Sequence, residues 1–145
     1  MANPNPVEIT GLDHVVLRVR DLDAALGFYR DALGLPIERQ LDIGLTQLRA
    51  GAALIDLVPV DSTLGRTGGA AAGAGGRNVD HFALSLARFD ADALRRHLDA
   101  HGIAYGEVAE RYGATGTGPS LYITDPDGNT VELKGPATDS RRATV

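Results

Sequence analysis

Apolar and polar positions first alternate: Val15, Leu17 and Val19 take one side of the chain, and His14, Val16 and Arg18 the other. Period two is the signature of a half-buried β-strand. The spacing then changes, because Leu22, Leu26, Tyr29 and Leu33 fall on one helical stripe. This predicts a helix over Leu22 to Leu33, capped by Asp21 and stopped by Gly34. The same succession returns in the second half. Phe82, Leu84 and Leu86 oppose His81, Ala83 and Ser85, and a helix is predicted from Asp90 to His101, with Phe89, Ala93, Leu94 and Leu98 on its stripe and Gly102 at its end. Asp13-His14-Val15-Val16-Leu17 is answered by Asp80-His81-Phe82-Ala83-Leu84, so the chain reads as an internal duplication. After each helix come stretches with strand and turn signals. Each half closes on a strand with one central acid, Leu54-Ile55-Asp56-Leu57 and Thr130-Val131-Glu132-Leu133. The predicted fold is α+β: two βαβββ modules, paired so that their sheets form a shared concave surface.

The predicted domain spans 9–135, with module one at about 9–60 and module two at about 79–135. Between them, 61–78 is rich in Gly and carries no apolar period, which predicts a flexible linker. Residues 1–8 and 136–145 read as loose tails. Asp125-Pro126-Asp127-Gly128 is a turn signal that places Tyr122 and Glu132 on neighbouring strands of a hairpin.

The chemistry follows from the alternation. One face of the predicted strands collects His14, His81, Tyr122 and Glu132, while the opposite face carries the residues suited to helix packing. If the modules pack as pseudo-twofold partners, His14, Asp56, His81 and Glu132 converge on one concavity. Two imidazoles and two carboxylates suit a divalent cation, and burying them without one would leave charges to be neutralised. His97 and His101 are four apart on a helix, but Arg95, Arg96 and Asp99 beside them point to a solvated face instead. The loop from Gly113 to Gly118 leads into the Ser120 to Thr124 strand and reads as a lid or a connection. No Gly-x-Ser-x-Gly elbow and no phosphate-binding Gly-x-x-x-x-Gly-Lys loop occurs.

Composition narrows the alternatives. With 145 residues, one domain is expected, and 43% hydrophobic with 23% charged residues excludes a wholly disordered chain. Zero Cys excludes disulfides, thiolate ligands and thiol nucleophiles, so any metal must be held by His and carboxylates. Fourteen basic against nineteen acidic residues, with no basic run, argues against a nucleic-acid partner. No segment approaches the apolar length of a membrane span and no signal segment is evident, so a soluble cytoplasmic protein without a membrane partner is expected.

The D-H-V-V-L-R-V-R-D-L opening, F-Y-R-D-A-L-G-L, V-D-H-F-A-L and S-L-Y-I-T-D-P-D-G-N-T-V-E-L together resemble the vicinal oxygen chelate superfamily, over roughly Ile9 to Gly135. Its members include glyoxalase I, fosfomycin-resistance transferases, extradiol dioxygenases and bleomycin-binding proteins. The stretch from Arg111 through Glu132 is most similar to uncharacterised glyoxalase-domain proteins. The resemblance implies one divalent ion per site (Ni, Zn, Mn, Co or Fe) with His14, His81 and Glu132 as ligands. It places Asp56 where glyoxalase I has a Glu, one methylene longer. It implies substrate contacts for Arg18 and Tyr122, a small-molecule substrate and a homodimer, with sites formed within one chain or across two. The implied activity is a glyoxalase-like isomerase or lyase that chelates vicinal substrate oxygens, with Glu132 or Asp56 moving the proton. The alternatives are an Fe(II) ring-cleaving dioxygenase on His14, His81 and Glu132, and a non-catalytic drug- or metabolite-binding protein.

Overall fold

Asp21 and Asp90 begin the two helices by the same device: each carboxylate accepts a hydrogen bond at 3.1 Å, from the Ala24 and Ala93 amides respectively. Each satisfies one of the amides a helix start leaves bare. Gly34 and Gly102 then leave the helices with φ of 79° and 67°, backbone that side chains rarely adopt. The computed structural model describes residues 5–138. Module one comprises β1 (His14–Val19), α1 (Leu22–Leu26), β2 (Ile37–Leu41), β3 (Leu45–Ala50) and β4 (Ala53–Pro59). Module two comprises β5 (His81–Ser85), α2 (Ala91–Ala100), β6 (Ala109–Gly113), β7 (Gly116–Thr124) and β8 (Thr130–Lys134). The two sheets have the same order, β1-β4-β3-β2 and β5-β8-β7-β6, with the first strand parallel to the last in each. The duplication read from the sequence is therefore a duplication of topology.

The first helix departs from the single regular run predicted. After α1 the backbone widens into a π-helical segment, Gly27–Ala32. The adjacent Phe28 and Tyr29 of this segment are both buried in the core.

One core serves both modules. Leu17, Val19, Leu48, Ile55 and Leu57 from the first sheet join Leu121, Ile123, Val131 and Leu133 from the second, together with Ala25, Leu26, Phe28, Tyr29 and Leu98. Since strand side chains alternate, the opposite face of each sheet is turned away from this common core. Polar bonds fasten the modules: Tyr29 donates to Asp125 at 2.6 Å, the Arg20 amide donates to Asp127 at 2.8 Å, and Asn78 donates to the Arg18 carbonyl at 3.1 Å. Burial and the Asp125 carboxylate hold the Tyr29 phenol well above its usual range. His97 lies on an exposed face, as expected, and its Nε2 also reaches the Ala32 carbonyl at 2.7 Å and ties the helices together.

The Gly-rich stretch expected to be a flexible linker has defined structure. It contains a 3-10 turn, Gly65–Gly68, and a bridge between Gly73 and Gly76. Arg18 organises it by donating to the carbonyls of Gly65, Gly69 and Ala70 at 2.9, 2.6 and 2.9 Å, and Arg20 donates to Ala72. A side chain at position 68 would come within 2.4 Å of Arg18 Nε, so the close approach requires Gly. Of the expected tails, residues 1–4 and 139–145 lie outside the described residues. Gly135 and Thr138 extend the pairing along β7, their amides donating to Pro119 and Thr117 at 2.8 Å each.

Burial, then the neighbouring Asp125 carboxylate, raises the Asp127 carboxyl above its usual range, against the Arg20 amide and guanidinium. Folded Asp127 thus holds its proton more tightly than the unfolded chain does. It costs stability above its folded titration range, and that cost disappears as pH falls through the range. Asp127→Asn, which keeps an acceptor for Arg20, is expected to melt higher than wild type at neutral pH and to converge with it in acid. Thermal melts across that span check this.

Candidate metal centre

Each histidine is oriented by the aspartate before it. Asp13 lies 2.7 Å from His14 Nδ1, and Asp80 lies 2.7 Å from His81 Nδ1. A carboxylate only accepts, so Nδ1 carries the hydrogen and each neutral ring keeps the lone pair on Nε2. This is the outer arrangement that makes an imidazole a good metal ligand. The bond to Asp13, followed by the fields of Asp56 and Asp13, raises the His14 pKa above its ordinary value against desolvation. In the second module the bond to His81 lowers the Asp80 pKa.

On the second sheet, His81 Nε2 stands 3.6 Å from Glu132 Oε1, with Glu132 only 7% exposed. Tyr122 pairs with Glu132 across the strands. Its ring meets His81 edge-on at 5.4 Å and carries the Arg111 guanidinium at 4.4 Å. On the first sheet, β1 pairs with β4 so that Val16 lies beside Asp56, putting His14 and Asp56 on one face. Asp56 is 3% exposed, and its Oδ2 accepts from Gln47 Nε2 at 3.0 Å. Gln47 Oε1 in turn accepts from Arg39, which fixes which end of the amide faces Asp56. Asp56 Oδ1 is buried without a hydrogen-bond partner. Such an oxygen calls for a proton or a cation.

The donor types therefore fit a divalent ion, but in two halves. Among the described residues, no three His, Asp or Glu side chains stand close enough together to hold an ion. The expected convergence of all four on one concavity is not reached inside a single chain, because both sheets turn their apolar faces to the same core. Arg18, read as a substrate contact, has its guanidinium engaged by linker carbonyls, with Nε buried and without a partner. Tyr122 lies beside the His81 and Glu132 pair, as the hairpin predicts. Sequence reasoning missed Asp13, Asp80, Gln47 and Arg39. The first two had a signal, the repeated Asp before each His.

The profile of the Glyoxalase/Bleomycin resistance protein/Dioxygenase superfamily matches residues 11–133. The chain belongs to this superfamily. Lactoylglutathione lyase GLX1 of Arabidopsis thaliana is 31% identical over 134 residues, covering 87% of this chain and 45% of that protein. The chain thus spans less than half the length of that relative. Glyoxalase domain-containing protein RDO1 of Mycosarcoma maydis is 30% identical over 128 residues, covering 88% of this chain and 69% of that protein. Among solved structures, Virulence protein STM3117 from Salmonella typhimurium superposes with a TM-score of 0.69 at 26% identity, covering 90% of this chain and all (100%) of the other. Lactoylglutathione lyase from Agrobacterium tumefaciens superposes at 0.63 and 23% identity, covering 90% of this chain and 96% of the other, a likeness of fold. The paired βαβββ architecture of the superfamily is the architecture of this chain. No helix among the described residues is long and apolar enough to cross a membrane.

Proposed function

We propose that this superfamily member is a divalent-metal-dependent, glyoxalase-like isomerase or lyase acting on a small molecule with two adjacent oxygens. The observation that carries the reading is the matched pair of half-sites: each sheet presents an imidazole held through Nδ1 by the aspartate before it and a buried carboxylate on the same face, Glu132 at 3.6 Å from His81 Nε2 and Asp56 with Oδ1 lacking a hydrogen-bond partner. His81 and Glu132 would hold the ion from one side, and His14 and Asp56 from the other. Once bound, the ion supplies Lewis-acid polarisation of the chelated oxygens. The chain's own residues do the rest. Gln47 occupies Asp56 Oδ2 and leaves Oδ1 as the oxygen available to ligate or to move a proton. Tyr122 shapes the floor on which substrate rests. A three-ligand oxygenase would leave Asp56 idle, whereas its bare, buried Oδ1 is placed for use.

The two halves meet in a homodimer in this reading. β1 and β5 are both edge strands, and they flank a cleft of about 850 Å³ lined by Val15, Leu33, Leu54, Phe82, Leu84 and Leu94. Unpaired edges beside uncovered apolar surface favour association. A second copy seated there would set β1 of one protomer beside β5 of the other.

Elemental analysis of protein purified without added metal or chelator tests the reading. About one divalent ion per chain is expected, lost in His81→Ala and in Glu132→Gln. Metal content unchanged by both substitutions would refute the ligand assignment, and a protein that takes up no ion even on reconstitution would refute the mechanism.

A further inference from the structure

Lys134, the only lysine in the chain, is 6% exposed. It lies on the same face of β8 as Glu132, one alternation further along, with its Cα paired to Ser120. Its side chain lies close to one glycine of β6 and one of β7. A Cβ at Gly113 would lie 3.3 Å from Lys134 Cε, and one at Gly118 would lie 3.1 Å from Nζ. A side chain at Gly113 would press on the lysine stem, and one at Gly118 would meet the Pro136 carbonyl at 2.3 Å before reaching the amine, so the lysine packs closely where both positions are Gly. Nζ donates to the Gly135 carbonyl at 3.0 Å. That uses one of three donors, and among the described residues no carboxylate forms an ion pair with it.

A second cation reaches the same stretch of β7 from the other side. Arg111, paired with Gly118 on β6, sends Nη1 to the Ser120 carbonyl at 3.0 Å and hydroxyl at 2.8 Å while its guanidinium stacks on Tyr122. Among the described residues, Arg111 also has no carboxylate partner. Two cations therefore lie over Gly118 and Ser120, one of them buried, beside the His81 and Glu132 pair. Confined like charges repel, and a buried one is costly unless an anion meets it. Arg18, the other cation read as a substrate contact, is committed to the linker.

We propose that Arg111 and Lys134 form an oxyanion subsite that takes a carboxylate or phosphoryl group of the substrate, next to the ligands His81 and Glu132. The assignment rests on the metalloenzyme reading for its role in turnover, but anion binding at the subsite needs no metal. The substrate class it defines is a small acid or phosphate ester whose anionic group lies a short distance from its chelating oxygens.

Thermal melts of the full chain with inorganic phosphate or acetate, against sodium chloride at matched ionic strength, test it. At ten times its dissociation constant, at least one probe is expected to raise Tm by roughly 3–5 °C. A phosphate-only or acetate-only response supports the subsite and names its group. The rise is expected to vanish in Lys134→Met and to persist in His81→Ala. Without anion, Lys134→Met is expected to melt at or above wild type, since an apolar chain of similar length replaces an unpaired buried charge. Arg111→Met, at a half-buried position, reads the same loss independently should the first variant not fold. An undiminished rise in both Met variants overturns the subsite, as does the absence of any rise in wild type. A rise lost in His81→Ala but kept in Lys134→Met puts the anion on the metal, overturning the subsite while supporting the metal reading. A Lys134-dependent rise in wild-type protein that takes up no divalent ion even on reconstitution supports the subsite and removes that reading.

Discussion

Refolding His14→Ala and Glu132→Gln chains together is expected to recover about a quarter of wild-type metal content, although neither variant binds stoichiometrically alone. His14 and Asp56 face one way and His81 and Glu132 another, with the common core between the two sheets. A complete set of four then needs the first sheet of one protomer and the second sheet of its partner. In a mixed dimer, one site collects both substitutions and the other collects neither. Random pairing makes about half the dimers mixed, each with one intact site of two, which gives the quarter. Sites closed within single chains would each carry one defect in every combination, and mixing would recover nothing. The substitutions suit the test because neither residue belongs to the apolar cluster: His14 is exposed, and Glu132→Gln keeps the size of a buried polar residue.

Much of this arrangement was legible before the structure. The two D-H-x-x-L strands, the helix caps Asp21 and Asp90, the Asp125 to Gly128 turn and the acid in each last strand set topology, register and faces, because all are local or period-two signals. What escaped depends on relations that periodicity does not carry. Strand alternation sends a residue beside a histidine to the opposite face, so Asp13 and Asp80 looked idle. Each precedes its strand, where the backbone is free to turn the carboxylate back onto the ring. Gln47 is an ordinary mid-strand amide until β3 is laid against β4 and it falls opposite Asp56. The linker composition hid its order because that order comes from the distant Arg18 and Arg20, not from the glycines. Whether the halves meet within or between chains lay beyond any local pattern. The proposal that they meet between chains rests on which faces share a core.

Asp125→Ala is expected to be the most damaging single substitution outside the apolar core, lowering stability by about 3–5 kcal/mol and Tm by roughly 10–15 °C. Both carboxylate oxygens are fully used: Oδ1 accepts from the Asp127 and Asn129 amides at 2.9 and 2.8 Å, and Oδ2 from the Tyr29 hydroxyl and Asn129 Nδ2 at 2.6 and 2.8 Å. Asp125, Asn129 and Tyr29 are all buried, so removing the acceptor strands donors that water cannot reach. Tyr29→Phe removes one of these bonds and its hydroxyl together, and about 1.5–3 kcal/mol is expected for a bond to a charged group. The double variant should fall short of the sum by about 1–2 kcal/mol, because the two residues share one interaction. Tyr29 belongs to the first module and Asp125 to the hairpin of the second, so that coupling measures how strongly a single bond holds the duplicated halves in register. Denaturant unfolding of the wild type, both single variants and the double variant supplies the four numbers. Additivity within about 0.5 kcal/mol would mean that the Tyr29 to Asp125 bond contributes nothing to holding the modules together.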